Sequence, residues 1–235
     1  MKSNESEKIK KIISQSKNED QNKRPSIINI IFGFYLEYNN KIQINNVFEI
    51  YLKNFTEFYK FSETDENKSN LLFAQFNLGL LYEEGELIPR DMNKCIHYYT
   101  LAANQNDSNA QFALGLLYER GELIPRDMDK CIYYYTLSAN QNDSNAQFAL
   151  GLLYEGGELI PRDMDKCIHY YTLSANQNNS NAQFALGLLY EGGELIPRDM
   201  NKCIHYFTLS ANQNYANAQF ALGYLYEGGE LIPRD

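Results

Sequence analysis

Positive charge is in short supply: 21 lysines and arginines face 30 aspartates and glutamates, a net charge of −9. Nucleic-acid binding asks for a basic stripe along one face, so this balance argues against a nucleic-acid partner. Long apolar runs are missing too. The longest, residues 27–36, is interrupted by Asn29 and is too short to span a bilayer. The first 20 residues are charged where a secretory signal would be apolar. Neither a membrane nor the secretory route is expected. The four cysteines, Cys95, Cys131, Cys167 and Cys203, never form the close pairs used by disulfide frameworks and zinc sites. They read as small residues buried on a helix, in a reducing, cytoplasmic compartment. Histidine is scarce as well. His97, His169 and His205 each follow a cysteine by two positions, which on a helix turns them about 200° away from it, toward the surface. No cluster supports metal or nucleophilic chemistry, and no cofactor and no enzymatic activity are expected.

What the chain does contain is one text written four and a half times. From Ala74 a 36-residue unit recurs as 74–109, 110–145, 146–181 and 182–217, with a half unit at 218–235. Units 110–145 and 146–181 differ at only three positions. A period of this length is the mark of a solenoid, in which each unit buries its apolar face only against its neighbours. Such an array repeats one surface instead of building a single pocket of unlike residues, which favours a binding scaffold over an enzyme.

Each unit reads as two helices. In 110–145, Ala110, Ala113, Leu114, Leu117 and Tyr118 follow amphipathic helical spacing. Ser108 and Gln111 have the spacing of a capping box, and Gly115 within the helix predicts close approach by a neighbouring helix. Gly121 ends this helix; Leu123, Ile124 and Pro125 form the connector. Asp127 is the expected N-cap of a second helix running from 128 to about 141. Cys131, Tyr134, Tyr135, Ser138 and Ala139 form its inward face. Asn142 then suits the left-handed turn that a helix end often needs.

These residues resemble the Sel1-like repeat, a relative of the tetratricopeptide repeat. The family's pattern is met by Ala110, Leu114, Gly115, Tyr118, Gly121, Asp127, Lys130, Tyr134, Ser138 and Ala139. Cys131 stands where alanine is usual, Leu123 where a second loop glycine is common, and Asn142 where a glycine separates units. The resemblance implies an all-α fold, an α-solenoid of helix–turn–helix repeats, and a role as an adaptor that holds other proteins together; an N-terminal helical cap is expected ahead of it from the residues upstream. Cysteine-rich relatives linked to β-lactam hydrolysis carry two cysteines per unit; one per unit counts against that activity here.

Upstream of the array, residues 9–31 resemble the end of a protein-kinase catalytic domain. Asp20, Arg24, Pro25 and the run 26–31 take the corresponding positions, with Ser16 and Lys17 in place of a Cys-Trp pair. The alternative is an unrelated cap of two short helices. The motifs for phosphoryl transfer, a glycine-rich loop, a strand lysine and metal-binding acids, do not occur. Residues 1–38 are thus expected to be a helical kinase-like remnant, and the chain could be the C-terminal regulatory fragment of a kinase. Residues 39–73 are expected to hold a capping helix at 44–61, with Phe48, Tyr51, Leu52, Phe55 and Tyr59 at helical spacing, and a polar linker at 62–69. The array, 74–235, ends within a unit, and self-association through an open apolar face of that last unit is an expectation.

The relationship to tetratricopeptide repeats also implies a site. Ligand-facing positions of those relatives fall on Asn109, Phe112, Leu116 and Glu119. Their equivalents are Phe76, Phe148, Phe184 and Phe220, then Leu80, Leu152 and Leu188, with Asn145, Asn181 and Glu155 along the edge. An aromatic and aliphatic ladder with an Asn/Glu rim would suit a protein partner presenting an extended peptide or an amphipathic helix. The competing expectation is that Phe112 and Leu116 belong to the core between adjacent units.

Overall fold

The structure, a computed structural model, describes residues 65–85 and 89–227. The chain divides into two compact units, one made of Met1–Ala74 and Glu84–Pro89, the other of Gln75–Glu83 and Arg90–Asp235. The kinase-like stretch 1–38 and the capping helix at 44–61 lie outside the described residues. In the first unit, the described backbone is the start of α1 (Asp65–Glu84) together with Glu84, Gly85 and Pro89. Residues 65–69, expected in a polar linker, are therefore helical. They contain no glycine or proline to stop a helix that the apolar residues after them propagate.

The second unit is an α-solenoid. After α1 come α2 (Met92–Ala103), α3 (Ser108–Arg120), α4 (Met128–Asn140), α5 (Ser144–Gly156), α6 (Met164–Asn176), α7 (Ser180–Gly192), α8 (Met200–Ala211) and α9 (Ala216–Glu227). Among the described residues there is no strand. Odd-numbered helices are the first of each pair and even-numbered ones the second. Each second helix packs on the first helix of its own pair and on that of the next, as α4 does on α3 and α5.

Local chemistry sets the boundaries. Gly121 closes α3 at φ 67°, in the left-handed region where a Cβ is penalised. Asp127 caps α4, its side chain accepting from Lys130 N at 3.1 Å, and Asn142 turns the chain at φ 63°. The cap of α3 differs from the expected capping box. Asp107, one residue earlier, accepts from Ala110 N at 2.8 Å, and its carboxylate suits the positive helix end. Gln111 is buried and reaches elsewhere: its amide donates to Ala103 O at 3.0 Å. Asp143 and Asn179 cap α5 and α7 in the same way.

The core lies where units meet. Cys131, Tyr135 and Ala139 of α4 are buried with Ala146, Leu150 and Leu153 of α5. Cys167, Tyr171 and Ala175 repeat this with Ala182, Leu186 and Leu189. A pair taken alone has nothing to cover that surface, so stability comes from stacking. Tyr134 is only half-buried, stacked on Tyr118 at 6.1 Å. Gly115 shows why glycine recurs within the first helix: a Cβ there would lie 2.4 Å from Cδ1 of Tyr135.

Candidate partner-binding face

One face of the first helices carries the residues named from the sequence. Three turns of α3 bring Phe112, Leu116 and Glu119 into line at i, i+4 and i+7. The buried ring of Tyr135 runs beneath this line. Its face stacks on Phe112 with centroids 5.5 Å apart, and its hydroxyl donates to Glu119 Oε2 at 2.6 Å. Phe148 stacks on Tyr171 at 5.6 Å, and the Tyr171 hydroxyl donates to Glu155 Oε2 at 2.5 Å. Phe76, Tyr99 and Glu83 form the same set. Phe184 lies against Phe207, whose ring has no hydroxyl to offer Glu191, and also against Tyr215 at 5.3 Å.

The predicted positions therefore separate by exposure. Phe76, Phe112, Phe148 and Phe184 are half-buried, supporting the tyrosine or phenylalanine beneath them. Leu80 and Leu116 are half-buried as well, while Leu152 and Leu188 are each 46% exposed. Asn109, Asn145 and Asn181 are exposed, and Glu119 and Glu155 are half-buried at the rim. Phe220, on α9, is 79% exposed and stands apart from the other four phenylalanines.

Several features of this surface were not named from the sequence. Lys130 Nζ sits 4.9 Å from the centre of the Tyr118 ring and 3.0 Å from Asp127 Oδ2. The Lys130 backbone N–H and ammonium hold the Asp127 carboxyl below its usual range, and Asp127 in turn raises Lys130. Arg126 Nε donates to Glu119 O at 2.8 Å, tying the connector to the end of α3. The histidines, read from the sequence as surface residues, are exposed, edge-on to Tyr98, Tyr170 and Tyr206, and Tyr133 takes their place in α4. The lysine–tyrosine and arginine–glutamate contacts recur from unit to unit, and that recurrence is the signal by which they could have been found.

The four cysteines are buried thiols outside any disulfide. Burial, with the nearby glutamates adding to it, pushes the Cys95, Cys131 and Cys167 thiols up to about 12, which makes them poor nucleophiles at neutral pH. Among the described residues no group of His, Cys, Asp and Glu could hold a metal ion, and no helix is long and apolar enough to cross a membrane.

Comparison with known proteins agrees with this architecture. The Sel1 repeat family matches residues 72–107, 108–143, 144–179, 180–215 and 216–235. A Sel1 repeat protein from Oxalobacter formigenes, known from its crystal structure, shares 32% identity with a TM-score of 0.64, over 78% of this chain and 73% of its own. The protective antigen c5321 of uropathogenic Escherichia coli, described as displaying an SLR fold, is 26% identical with a TM-score of 0.66, over 76% of this chain. This chain spans only 36% of that antigen. No curated protein matches the chain. The kinase resemblance of residues 9–31 gains no support from these relatives. With five consecutive matches in step with the helix pairs, the chain belongs to the Sel1 repeat family.

Proposed function

We propose that the array is an adaptor that holds a protein partner along the face of its first helices. Sel1 repeat proteins are generally protein-interaction scaffolds, and this chain has the family's full unit. The observation that carries the reading is the pair Leu152 and Leu188, each 46% exposed at the same position of successive units, beside exposed Asn145 and Asn181. The leucines supply apolar anchors, and the asparagines supply donors and acceptors for a backbone. An extended peptide or an amphipathic helix fits that pattern. The occupant is protein; neither nucleic acid nor membrane nor cofactor enters the reading. Four buried thiols outside any disulfide suit a reducing, cytoplasmic setting.

The test is peptide selection from a random library against the whole chain. Selected peptides should lose binding to a Leu152→Asp, Leu188→Asp double variant whose helicity and melting temperature are those of the parent. Recovery of no peptide, or of peptides indifferent to the double change, would sink this reading.

A further inference from the structure

The residues of α5 and α7 are identical, and α3 differs from them at one position, with Arg120 in place of Gly156 and Gly192. That position separates the leucines. Leu116 is half-buried and packs against the core between α4 and α5, while Leu152 and Leu188 are each 46% exposed. A helical side chain covers the turn before its own Cα, so the stem of Arg120 can lie over Leu116, four residues back. Glycine at the same place leaves the leucine bare. α5 packs on α4 and α6, and α7 on α6 and α8. The exposure therefore belongs to the interior of the array.

Neither the backbone nor the core asks for these two glycines. Both are helical with φ outside the left-handed region, and a Cβ built on either meets nothing within 4 Å. Arg120 holds the same backbone, its carbonyl accepting from the connector arginine at 3.2 Å as that of Gly156 does. Glycine is the poorest helix former after proline, so each one costs stability that another residue would restore. What the pair supplies is open space beside an exposed leucine, in two successive units. Glycine serves where a ligand must come close to the backbone.

The same stretch has one sign of charge. α5 and α7 each carry a single charged side chain, Glu155 and Glu191, next to the glycine in sequence. Glu155 gives one oxygen to Tyr171, and Phe207 has no hydroxyl to give Glu191. Acceptor positions remain for a cation from outside.

We propose that an extended basic peptide crosses α5 and α7, with its backbone against Gly156 and Gly192. Its apolar side chains lie on Leu152 and Leu188, and its lysines or arginines meet Glu155 and Glu191. This rests on the adaptor reading above and names its occupant and place. A chain in polyproline II advances about 9 Å per turn of three residues, which matches a packed-helix spacing of about 8–10 Å between units. Each turn of the peptide thus meets one unit, and the same residue types return at every third position. A helical ligand keeps its backbone behind its own side chains, within a cylinder about 10–12 Å across, and has no use for the glycines.

The probe is a fluorescent peptide of four leucine–proline–arginine triplets, titrated with the whole chain and read by anisotropy. It should bind, and the peptide with glutamate for arginine should bind at least tenfold more weakly. Gly156→Gln with Gly192→Gln fills the open space with a neutral side chain and a better helix former, so its melting temperature should match or exceed the parent's. That variant should lose at least tenfold in affinity. Arg120→Gly should uncover Leu116 and tighten binding severalfold. Glu191→Gln should weaken binding severalfold and flatten its dependence on salt. Unchanged affinity in the double glutamine variant overturns the close approach at the glycines. Equal binding of the glutamate peptide overturns the basic occupant. If the probe fails to bind while library peptides are still captured through Leu152 and Leu188, the occupant named here falls and the adaptor reading stands. Capture of no peptide removes both.

Discussion

Tyr171 fills the space that a side chain on Gly151 would need: its Cδ1 lies 2.3 Å from where the Cβ would be. The ring is fully buried, held by Phe148 stacked on its face and by Glu155 at its hydroxyl, so it cannot turn aside. Alanine at 151 would gain roughly 1 kcal/mol of helix propensity. It would also force a ring or a helix to move, at an overpacking cost of about 1–3 kcal/mol. Gly151→Ala is expected to lower stability in urea unfolding, while Gly156→Ala, where a Cβ meets nothing within 4 Å, should be neutral or stabilising. Equal effects at the two sites would contradict the account.

The units contain a natural comparison at the next contact. Tyr99, Tyr135 and Tyr171 each donate a hydroxyl to a glutamate of the preceding helix; Phe207 cannot. A hydrogen bond to a charged acceptor contributes about 1.5–3 kcal/mol, less the cost of burying the hydroxyl. Tyr171→Phe should therefore destabilise by about 1 kcal/mol and Phe207→Tyr stabilise by a similar amount. Glu191→Gln on the Phe207→Tyr background should take back part of the gain. A Phe207→Tyr chain no more stable than the parent would mean that the fourth unit cannot bring the hydroxyl to Glu191.

What could be read from the sequence was whatever depends on neighbours a few residues away. Gly121, Asp127 and Asn142 are turn and cap residues whose partners lie within one helical turn, and the structure uses them as expected. The cap of α3 was off by one because Asp107 and Ser108 are both capping types, and the charged one takes the role. Gln111 was misread for a deeper reason. Its partners are Ala103, eight residues back in the preceding unit, and Gln141, thirty residues on. The Tyr135 to Glu119 bond likewise spans sixteen residues and crosses from second to first helix. At the candidate face, spacing placed the residues on one line but could not foresee that Phe112 and Phe148 would lie against buried tyrosines while Leu152 and Leu188 remained exposed.

The glutamines connect the units, which makes a further measurement possible. Gln147 is 1% exposed; its amide donates to Ala139 O at 3.1 Å, and its Oε1 accepts from Gln177 at 2.6 Å. Gln147→Ala would take one of two donors from that carbonyl, which still accepts from Asn142 N at 3.0 Å, at a cost of about 0.5–1.5 kcal/mol for the lost bond. The loss falls on the interface between two units. Urea unfolding should broaden or split as the array uncouples at that point. Gln177→Ala, which removes an exposed partner, should cost less. A single transition as sharp as the parent's in Gln147→Ala would show that the apolar contacts alone carry the coupling.

Alkaline pH should unfold the array through its own core. Unfolded thiols ionise near 9.0, whereas burial, reinforced by Glu83, Glu119 and Glu155, holds Cys95, Cys131 and Cys167 protonated to about 12. Between those values the unfolded chain has lost protons that the folded chain keeps, so raising the pH favours unfolding. Tyr135 and Tyr171 act with the same sign, since burial and then the glutamate each one faces raise them too. The stability these groups contribute is fully present below pH 9.0 and is lost as the pH climbs toward 12. Urea midpoints should hold steady up to that lower value and then fall. Cys167→Ala, alanine being the residue usual at that position of the family, should make the fall shallower. A thiol reagent at neutral pH should leave all four cysteines untouched until denaturant is added. A flat midpoint through the alkaline range, or rapid labelling of the folded chain, would mean that these thiols are more accessible than their burial implies.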